Sequence, residues 1–204
     1  PDVAIIAFTG SRAVGLAINA RAAEVSKSGL TQVKRVIAEL GGKNAIILDE
    51  EFDEEAAIRD VLYSAFGYQG QKCSAGSRAI LVARIYDALV EKILARTREL
   101  MVMGDPERHA HTLGPVVSRS QYQKVMEYIE VGKQEGRLVL GGQAPAHDGY
   151  FIEPTVFVDV APDARIAQEE IFGPVLAVIK ARDWRHAIEI ANDTTFGLTG
   201  AFYS

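Results

Sequence analysis

The sequence predicts an α/β fold with a parallel sheet, assembled from βαβ units. Short apolar runs of strand type alternate along the chain with segments of helical periodicity of ~10–15 residues. Glycine-containing turns punctuate them, as at Thr9-Gly10-Ser11 and at Gly41-Gly42. The 204 residues are 48% hydrophobic, which is enough to bury a sizeable core.

The first half of the chain alternates strands with two helices. Apolar runs predict strands over 3–8, 33–40, 44–48 and 78–83. Apolar residues at helical spacing predict a helix over 12–25. Asp53 is a suitable N-cap for a second helix, in which Ile58, Val61, Leu62 and Ala65 share one face. A glycine-rich turn then carries Cys73 into the strand at 78–83.

The second half begins with an amphipathic helix whose apolar positions run from Tyr86 to Met101. The segment 104–118, which has two prolines and two histidines, is predicted as a loop, and a helix follows over 120–134. The remaining elements are strands over 138–140, 174–181 and 198–203, mostly extended chain over 151–160, and a helix over 184–191.

Composition excludes several classes of protein. The net charge of −5 offers no basic surface for nucleic acid, and no apolar run reaches the ~18 residues of a membrane helix. The single cysteine excludes a disulfide framework and a multi-cysteine zinc site, and it suits a reducing compartment. His109, His111 and His147 lie in predicted loops without metal-ligand spacing, so no metal site is expected.

Both ends of the sequence interrupt predicted structure. Pro1 stands just before an apolar run, and Ser204 directly follows a predicted strand. Natural domain ends are usually polar and loosely ordered. We therefore expect partner segments on both sides.

The segment Phe8-Thr9-Gly10-Ser11 lies where a predicted strand gives way to a helix. Glycine there lets the backbone approach a ligand, and the free N–H groups of the first helical turn attract phosphate. Gly10 and Gly15 have the spacing of a P-loop, but Leu16 and Ala17 replace its Lys and Ser/Thr, which excludes that type of triphosphatase. Alone, the motif favours a helix cap without a ligand.

Gly70-Gln71-Lys72-Cys73-Ser74-Ala75 places the only thiol in a polar turn after a helix. Lys72 is an adjacent cation, and a helical turn following the cysteine would direct N–H groups at the sulfur. Both features favour the thiolate that a nucleophile requires. The alternative is an inert buried cysteine that packs as a small apolar residue.

Glu39 lies inside the apolar strand segment 36–40. A carboxylate among apolar neighbours is costly to bury unless it has a partner, and burial makes it a stronger base. The alternative is a salt bridge to Lys34, Arg35 or Lys43. Together with a reactive thiolate, such a carboxylate indicates acyl-enzyme chemistry, in which it activates water against a thioester.

Five blocks of the sequence resemble those of the aldehyde dehydrogenase superfamily in the same order. They are Phe8–Ser11, Glu39–Lys43, Gly70–Cys73, Glu169–Pro174 and Asn192–Leu198. The resemblance spans nearly the whole sequence. It implies that a thiohemiacetal forms on a cysteine, that hydride passes to a nicotinamide, and that the resulting thioester is hydrolysed. By match, Cys73 is the nucleophile and Glu39 the general base, and the backbone N–H of Cys73 supplies half of the oxyanion hole.

The same resemblance implies a site for NAD, with NADP as the alternative. Gly10 and Ser11 match the turn that meets the cofactor pyrophosphate. Glu170 matches the carboxylate that binds the nicotinamide ribose hydroxyls, and Phe172 the aromatic contact to the same ribose and ring. Leu40 matches the backbone carbonyl near the nicotinamide amide. Without the resemblance, the adjacent acidic residues favour a solvated pair and the phenylalanine a core aromatic.

The residues around Cys73, with 167–170 and Asp193, are most similar to the branch of the family that oxidises glutamate γ-semialdehyde in proline breakdown. In that branch, Lys72 and Ser74 would bind a substrate that carries a carboxylate and an ammonium group. The rivals are an enzyme for another aldehyde, such as succinate semialdehyde, a non-catalytic homologue, and a cysteine hydrolase. No histidine base near Cys73 is evident for the last of these.

The resemblance also implies a domain division and a setting. Residues 1–42 would be the C-terminal part of an NAD-binding domain, and residues 43–204 would be a catalytic domain that is incomplete at its C-terminus. The implied parent protein is a cytoplasmic homo-oligomer with a small-molecule aldehyde substrate and no nucleic-acid or membrane partner.

Overall fold

The structure, a computed structural model, describes residues 3–24, 33–145 and 149–204. It divides into two compact units, one up to Gly41 and the other from Gly42 onward. Val25 and His147, which the sequence assigns to a helix end and to a loop, lie outside the described residues. In the described part of the chain, no helix combines the length and the apolarity needed to cross a membrane.

The first unit is a single βαβ arrangement. Strand β1 (Ile5–Thr9) pairs in parallel with β2 (Arg35–Glu39), and helix α1 (Arg12–Ala23) lies between them in the chain. Ser11 caps α1, since its Oγ accepts the N–H of Val14 at 3.4 Å. The predicted apolar face of α1 is not buried as expected, because only Gly15 of this helix is buried. A two-stranded sheet offers too little surface to cover the rest.

The second unit contains a six-stranded sheet in the order β5-β6-β7-β4-β3-β8. Its strands are β3 (Ala45–Leu48), β4 (Arg78–Val82), β5 (Arg137–Leu140), β6 (Thr155–Val158), β7 (Val175–Ala181) and β8 (Gly200–Tyr203). All neighbouring pairs are parallel except β5 with β6, which is antiparallel. The predicted α/β class with a parallel sheet is confirmed.

Helices cover both faces of this sheet. They are α2 (Glu54–Phe66), α3 (Tyr86–Leu100), α4 (Arg119–Glu135), α5 (Arg165–Gln168) and α6 (Trp184–Asn192). Helices α2 and α3 pack with alternate strand residues such as Leu48 and Leu81 in one core. Helices α4, α5 and α6 pack with the intervening residues, such as Ile47 and Ile80, in the other. A sheet buried on both faces explains why its strands read as continuous apolar runs.

Outside the turn around Cys73, the predicted elements agree with the structure to within a few residues, with two differences. Asp53 caps α2 as expected, because its Oδ1 accepts the N–H of Ala56 at 3.1 Å. Helix α5 was not predicted, since four residues are too few to show a helical period. The extended segment 151–160 narrows to β6, which begins after Pro154, a residue that cannot donate to a ladder.

Gly132 in α4 gives a test of the packing between this helix and the sheet. A Cβ there would lie 2.6 Å from Cζ of the buried Phe157. Gly132→Ala should therefore lower the free energy of unfolding by about 1–3 kcal/mol, although Gly→Ala usually stabilises a helix. Urea unfolding followed by circular dichroism measures the change. Gln123→Ala, on the exposed face of α4, is the control with almost no effect, and a stabilised Gly132→Ala protein would contradict the packing described.

Candidate active site

Polar residues of the second unit gather where its parallel strands begin. Strands β3, β4, β7 and β8 run in the same direction, so their amino ends share one edge of the sheet. Asn44 directly precedes β3, Cys73 lies in the turn before β4, Glu170 lies before β7, and Thr199 directly precedes β8. This edge brings together residues that are far apart in the sequence.

A left-handed stretch of backbone connects α2 to the cysteine turn. Tyr68, Gln69 and Gly70 have φ angles of 54°, 56° and 67°. The conformation is costly for the first two, and backbone strain of this kind clusters at functional sites. Glycine is also required at position 70 for steric reasons, because a Cβ there would lie 2.2 Å from the carbonyl oxygen of Gly173. The chain thus reverses sharply just before Cys73.

Cys73 is exposed, which excludes an inert buried cysteine. Its turn is closed by the N–H of Ala75, which donates to the carbonyl of Lys72 at 3.1 Å. The expected helical turn after the cysteine is absent, because the turn closes at Ala75 and β4 begins shortly afterwards at Arg78. Lys72 remains the adjacent cation, with its Nζ 5.9 Å from the centre of the Tyr68 ring. Ser74, also exposed, lines a cavity of about 210 Å³ together with Asn44.

Asn44 is buried, and its side-chain amide fixes the cysteine turn by hydrogen bonds. Its Nδ2 donates to the carbonyl of Cys73 at 2.7 Å and to that of Ala75 at 2.9 Å. Its Oδ1 accepts the N–H of Thr199 at 3.0 Å. Gly42 is equally close, since a Cβ there would lie 2.5 Å from the carbonyl oxygen of Cys73.

The two adjacent glutamates have different surroundings and do not form a solvated pair. Glu169 accepts two hydrogen bonds from Arg165 at 3.0 Å and one from the Tyr128 hydroxyl at 2.6 Å. The hydrogen bonds from Arg165, followed by that from Tyr128, lower the pKa of Glu169. Glu170 instead turns toward the cysteine turn, where its Oε1 accepts the N–H of Gly42 at 3.1 Å. Glu169 therefore has a structural partner, and Glu170 lies at the edge with Cys73.

The segment after Glu170 is held by two side chains of α4. Lys124 donates to the carbonyl of Glu170 at 2.9 Å, and Gln121 donates to the carbonyl of Phe172 at 2.7 Å. Phe172 is half-buried and has a φ angle of 59°, a left-handed conformation that is rare for an aromatic residue. These contacts hold Glu170 and Phe172, which are two residues apart, in fixed positions.

Two buried cations, Arg78 and Lys43, lie close to this edge of the sheet. Arg78 donates to the carbonyls of Lys43, Ile190 and Ala191, and so connects β3 to the end of α6. Within the described residues, the Nζ of Lys43 is buried without a hydrogen-bond partner. Burial, and then repulsion by Arg78, lower the pKa of Lys43 to about 7, against an opposing attraction by Glu170. Both cations also line a cavity of about 600 Å³ beside β3 and β8.

The candidate residues of the first unit lie at the carboxyl ends of its two strands. Gly10 and Ser11 follow β1, and the N–H of Gly10 donates to the carbonyl of Glu39 at 3.0 Å. Glu39 ends β2 and is exposed, so the expected burial of its carboxylate is not found. Leu40 packs against Gly15, where a Cβ would lie 2.4 Å from Cδ2 of Leu40. The structure thus brings Gly10, Ser11, Glu39 and Leu40 into one neighbourhood.

No metal centre is found in the part of the chain that the structure describes. No group of three or more His, Cys, Asp or Glu side chains there could hold a metal ion. His111 instead lies 3.0 Å from the carbonyl of Asp105, through its Nδ1.

Sequence reasoning missed Asn44, Lys43 and Arg78 as parts of this site. Two signals were present: the polar pair Lys43-Asn44 stands directly before a fully apolar strand, and Arg78 opens another. A charged or amide side chain at the start of a buried strand needs partners. That requirement could have marked them as candidates.

Comparisons with known proteins find matches that extend along the whole chain. Residues 1–204 match the sequence model of the aldehyde dehydrogenase family. The chain is 55% identical over 204 residues to a 1-pyrroline-5-carboxylate dehydrogenase of Geobacillus thermodenitrificans, and 53% identical over 201 residues to one of Bacillus subtilis. It covers 39% of the length of each, with 100% and 98% of its own residues matched. A solved 1-pyrroline-5-carboxylate dehydrogenase from Thermus with bound NAD has a TM-score of 0.93 and 53% identity, over 98% of this chain and 38% of that one.

The buried ammonium of Lys43 predicts a pH-dependent stability. The unfolded chain keeps this proton up to the ordinary pKa of 10.5, whereas the folded protein releases it near 7. Below pH 7 the full cost of burying the charge is present, and the cost is removed as the pH rises from 7 to 10.5. Lys43→Met lacks this dependence, so its stability relative to the original protein should be highest near pH 6 and should decline toward pH 10.

Urea unfolding across that pH range measures the difference. Lys92→Met, at an exposed lysine that pairs with Glu54, is the matched control and should give a flat difference. A flat profile for Lys43→Met as well would contradict a depressed pKa at Lys43.

Proposed function

This chain belongs to the aldehyde dehydrogenase family, and on that premise we propose that it supplies the nucleophile and part of the cofactor site of an NAD-dependent dehydrogenase. The proposed reaction oxidises glutamate γ-semialdehyde, the open form of 1-pyrroline-5-carboxylate, to glutamate. The observation that carries the proposal is the exposed Cys73 in a turn that Asn44 fixes beside Glu170. Because the chain spans 39% of its curated relatives, the activity is proposed for a protein of their length.

In the proposed chemistry, the Cys73 thiolate adds to the aldehyde carbon and forms a thiohemiacetal. Hydride leaves that carbon, and a thioester to Cys73 remains. NAD, when bound, supplies the hydride acceptor. Glu39 then takes a proton from water, and the water attacks the thioester to give glutamate and the free thiol. The backbone N–H of Cys73 stabilises the oxyanion in both additions.

In each unit, the candidate residues are of types that suit part of a dinucleotide. Ser11 opens an exposed helix N-terminus after a glycine, an arrangement that suits a pyrophosphate. Glu170 is half-buried, and a carboxylate there can accept hydrogen bonds from two ribose hydroxyls. Phe172, two residues after Glu170, would offer a ring to the same ribose, and Leu40 would offer a backbone carbonyl to the nicotinamide amide. NADP is the alternative cofactor.

Substrate choice is proposed to depend on the residues that flank the nucleophile. Lys72 is a cation beside Cys73, and Ser74 is an exposed hydroxyl next to it. A cation and a hydroxyl donor suit a substrate that carries a carboxylate. The names of the relatives in Geobacillus and Bacillus support glutamate γ-semialdehyde over other aldehydes.

The proposal extends to domains and setting. Residues 1–42 are proposed to end an NAD-binding domain, and residues 43–204 to belong to the catalytic domain. The chain divides into two compact units between Gly41 and Gly42, which supports that division. A cytoplasmic location and assembly as a homo-oligomer complete the proposal.

Substrate preference tests the proposed function in a protein of family length that contains this chain. The kcat/KM for glutamate γ-semialdehyde with NAD should exceed that for hexanal by ~10²-fold or more, because unpaired polar groups penalise a substrate that lacks the matching groups. Cys73→Ala should abolish turnover of both. Lys72→Met should lower the value for the semialdehyde alone, and Lys92→Met should change neither. If hexanal is the better substrate, the proposed substrate is wrong.

Glu39→Gln tests the assignment of the general base. Loss of water activation should slow thioester hydrolysis by ~10²–10⁴-fold and leave hydride transfer much faster. Stopped-flow absorbance should then record a burst of NADH followed by a slow steady state. Glu51→Gln, at an exposed glutamate, is the control. An unchanged steady-state rate in Glu39→Gln would assign the base to another residue.

A further inference from the structure

The amide of Asn44 connects three segments of the second unit. Its two donor bonds go to the carbonyls of Cys73 and Ala75, and its oxygen accepts from Thr199. The residue is 4% exposed, so water does not compete for these bonds. A buried amide with such a set of partners fixes the backbone around it, because leaving any of them unpaired is costly.

We propose that Asn44 is a positioning residue for the nucleophile, and that it aligns the Cys73 turn with the segment that leads into β8. The catalytic part of this inference rests on the proposed function. The bond to the Cys73 carbonyl fixes the peptide that follows the cysteine. The bond to the Ala75 carbonyl fixes the other side of the same turn.

The surroundings of Asn44 leave the turn little freedom to move. A Cβ on Gly42 would lie 2.5 Å from the Cys73 carbonyl oxygen and 2.9 Å from Oδ1 of Asn44. Behind the turn, the N–H of Gly76 donates to Oγ of Ser64 at 3.0 Å. The turn is therefore fixed at the Cys73 carbonyl and at the two residues that close it, Ala75 and Gly76, and the Asn44 amide supplies the bonds nearest to the cysteine.

Asn44→Asp separates the two roles of this side chain. A carboxylate keeps the acceptor for Thr199 but loses both donors to the turn. Two carbonyls would then face a carboxylate, and the turn should open while the contact to Thr199 persists. Asn44→Ala, by contrast, loses all three bonds.

Amide hydrogen exchange of this chain, resolved by NMR, tests the inference without reference to activity. In Asn44→Asp, the N–H groups of Ala75 and Gly76 should exchange about tenfold faster or more, while that of Thr199 keeps its protection. In Asn44→Ala, all three should exchange faster. Unchanged exchange at Ala75 and Gly76 in Asn44→Asp would overturn the inference.

Kinetics in a protein of family length give the second readout. Asn44→Asp should lower kcat by ~10²-fold, the scale expected for a nucleophile displaced by about 1 Å. The dissociation constant for NAD, measured by calorimetry, should stay within about twofold, a split that a merely structural role would not produce. A folded Asn44→Asp protein with full kcat would overturn the inference.

Gln168→Glu is the matched control. Gln168 also donates to two carbonyls, those of Pro162 and Asp193, and it contacts the segment that leads to β8 without reaching Cys73. In the Gln168→Glu protein, exchange at Ala75 and Gly76 should equal that of the original protein.

If Asn44→Asp fails to fold, Gly42→Ala provides a second variant, because the added Cβ displaces the same carbonyl. It should give the same faster exchange at Ala75, and unchanged exchange there would also overturn the inference. If the family-length protein oxidises no aldehyde at all, the proposed function fails, and exchange alone decides the role of Asn44.

Discussion

The segment Gly42–Asn44 satisfies the polar groups that the amino edge of a parallel sheet would otherwise leave buried without partners. Its three residues bond in three directions: the N–H of Gly42 to Glu170, the carbonyl of Lys43 to Arg78, and the amide of Asn44 to the cysteine turn. Each bond replaces a hydrogen bond to water that burial removes. Losing one of them would therefore leave a buried polar group without a partner. The positions of Cys73 and Glu170 therefore depend on a short stretch of chain that carries neither of them.

The two units place their candidate residues at opposite ends of their strands. In the first unit, Glu39 ends one strand and Gly10, Ser11 and Leu40 follow the strands, which is where ligands usually bind in α/β folds. In the second unit, Asn44 and Cys73 precede the strands. A polar site at the amino edge needs its own supply of donors, and Arg78, Asn44 and Lys124 provide them from side chains.

Much of the fold could be predicted from the sequence, because periodicity and caps such as Asp53 are local signals. The polar turn around Cys73 was accessible in the same way, whereas the separate character of Glu170 was implied only by the family resemblance. The support of the site was not accessible, since Asn44 bonds to residues 29 and 155 positions away, and no local pattern encodes such pairs. The predicted helical turn after Cys73 failed because the next strand begins too soon, and the predicted burial of Glu39 failed because β2 belongs to a sheet of two strands.

The bond between Asn44 and Thr199 also sets an order of events during synthesis. A ribosome delivers the chain from its amino end, so Cys73 emerges long before Thr199, 155 residues after Asn44, can close that contact. Strand β8, which pairs with β3, likewise arrives last among the strands that the structure describes. Closing so long a loop is slow relative to local turns. The growing chain therefore carries its thiol in an unfinished turn, and Cys73, the proposed nucleophile, is among the last residues to be set in place.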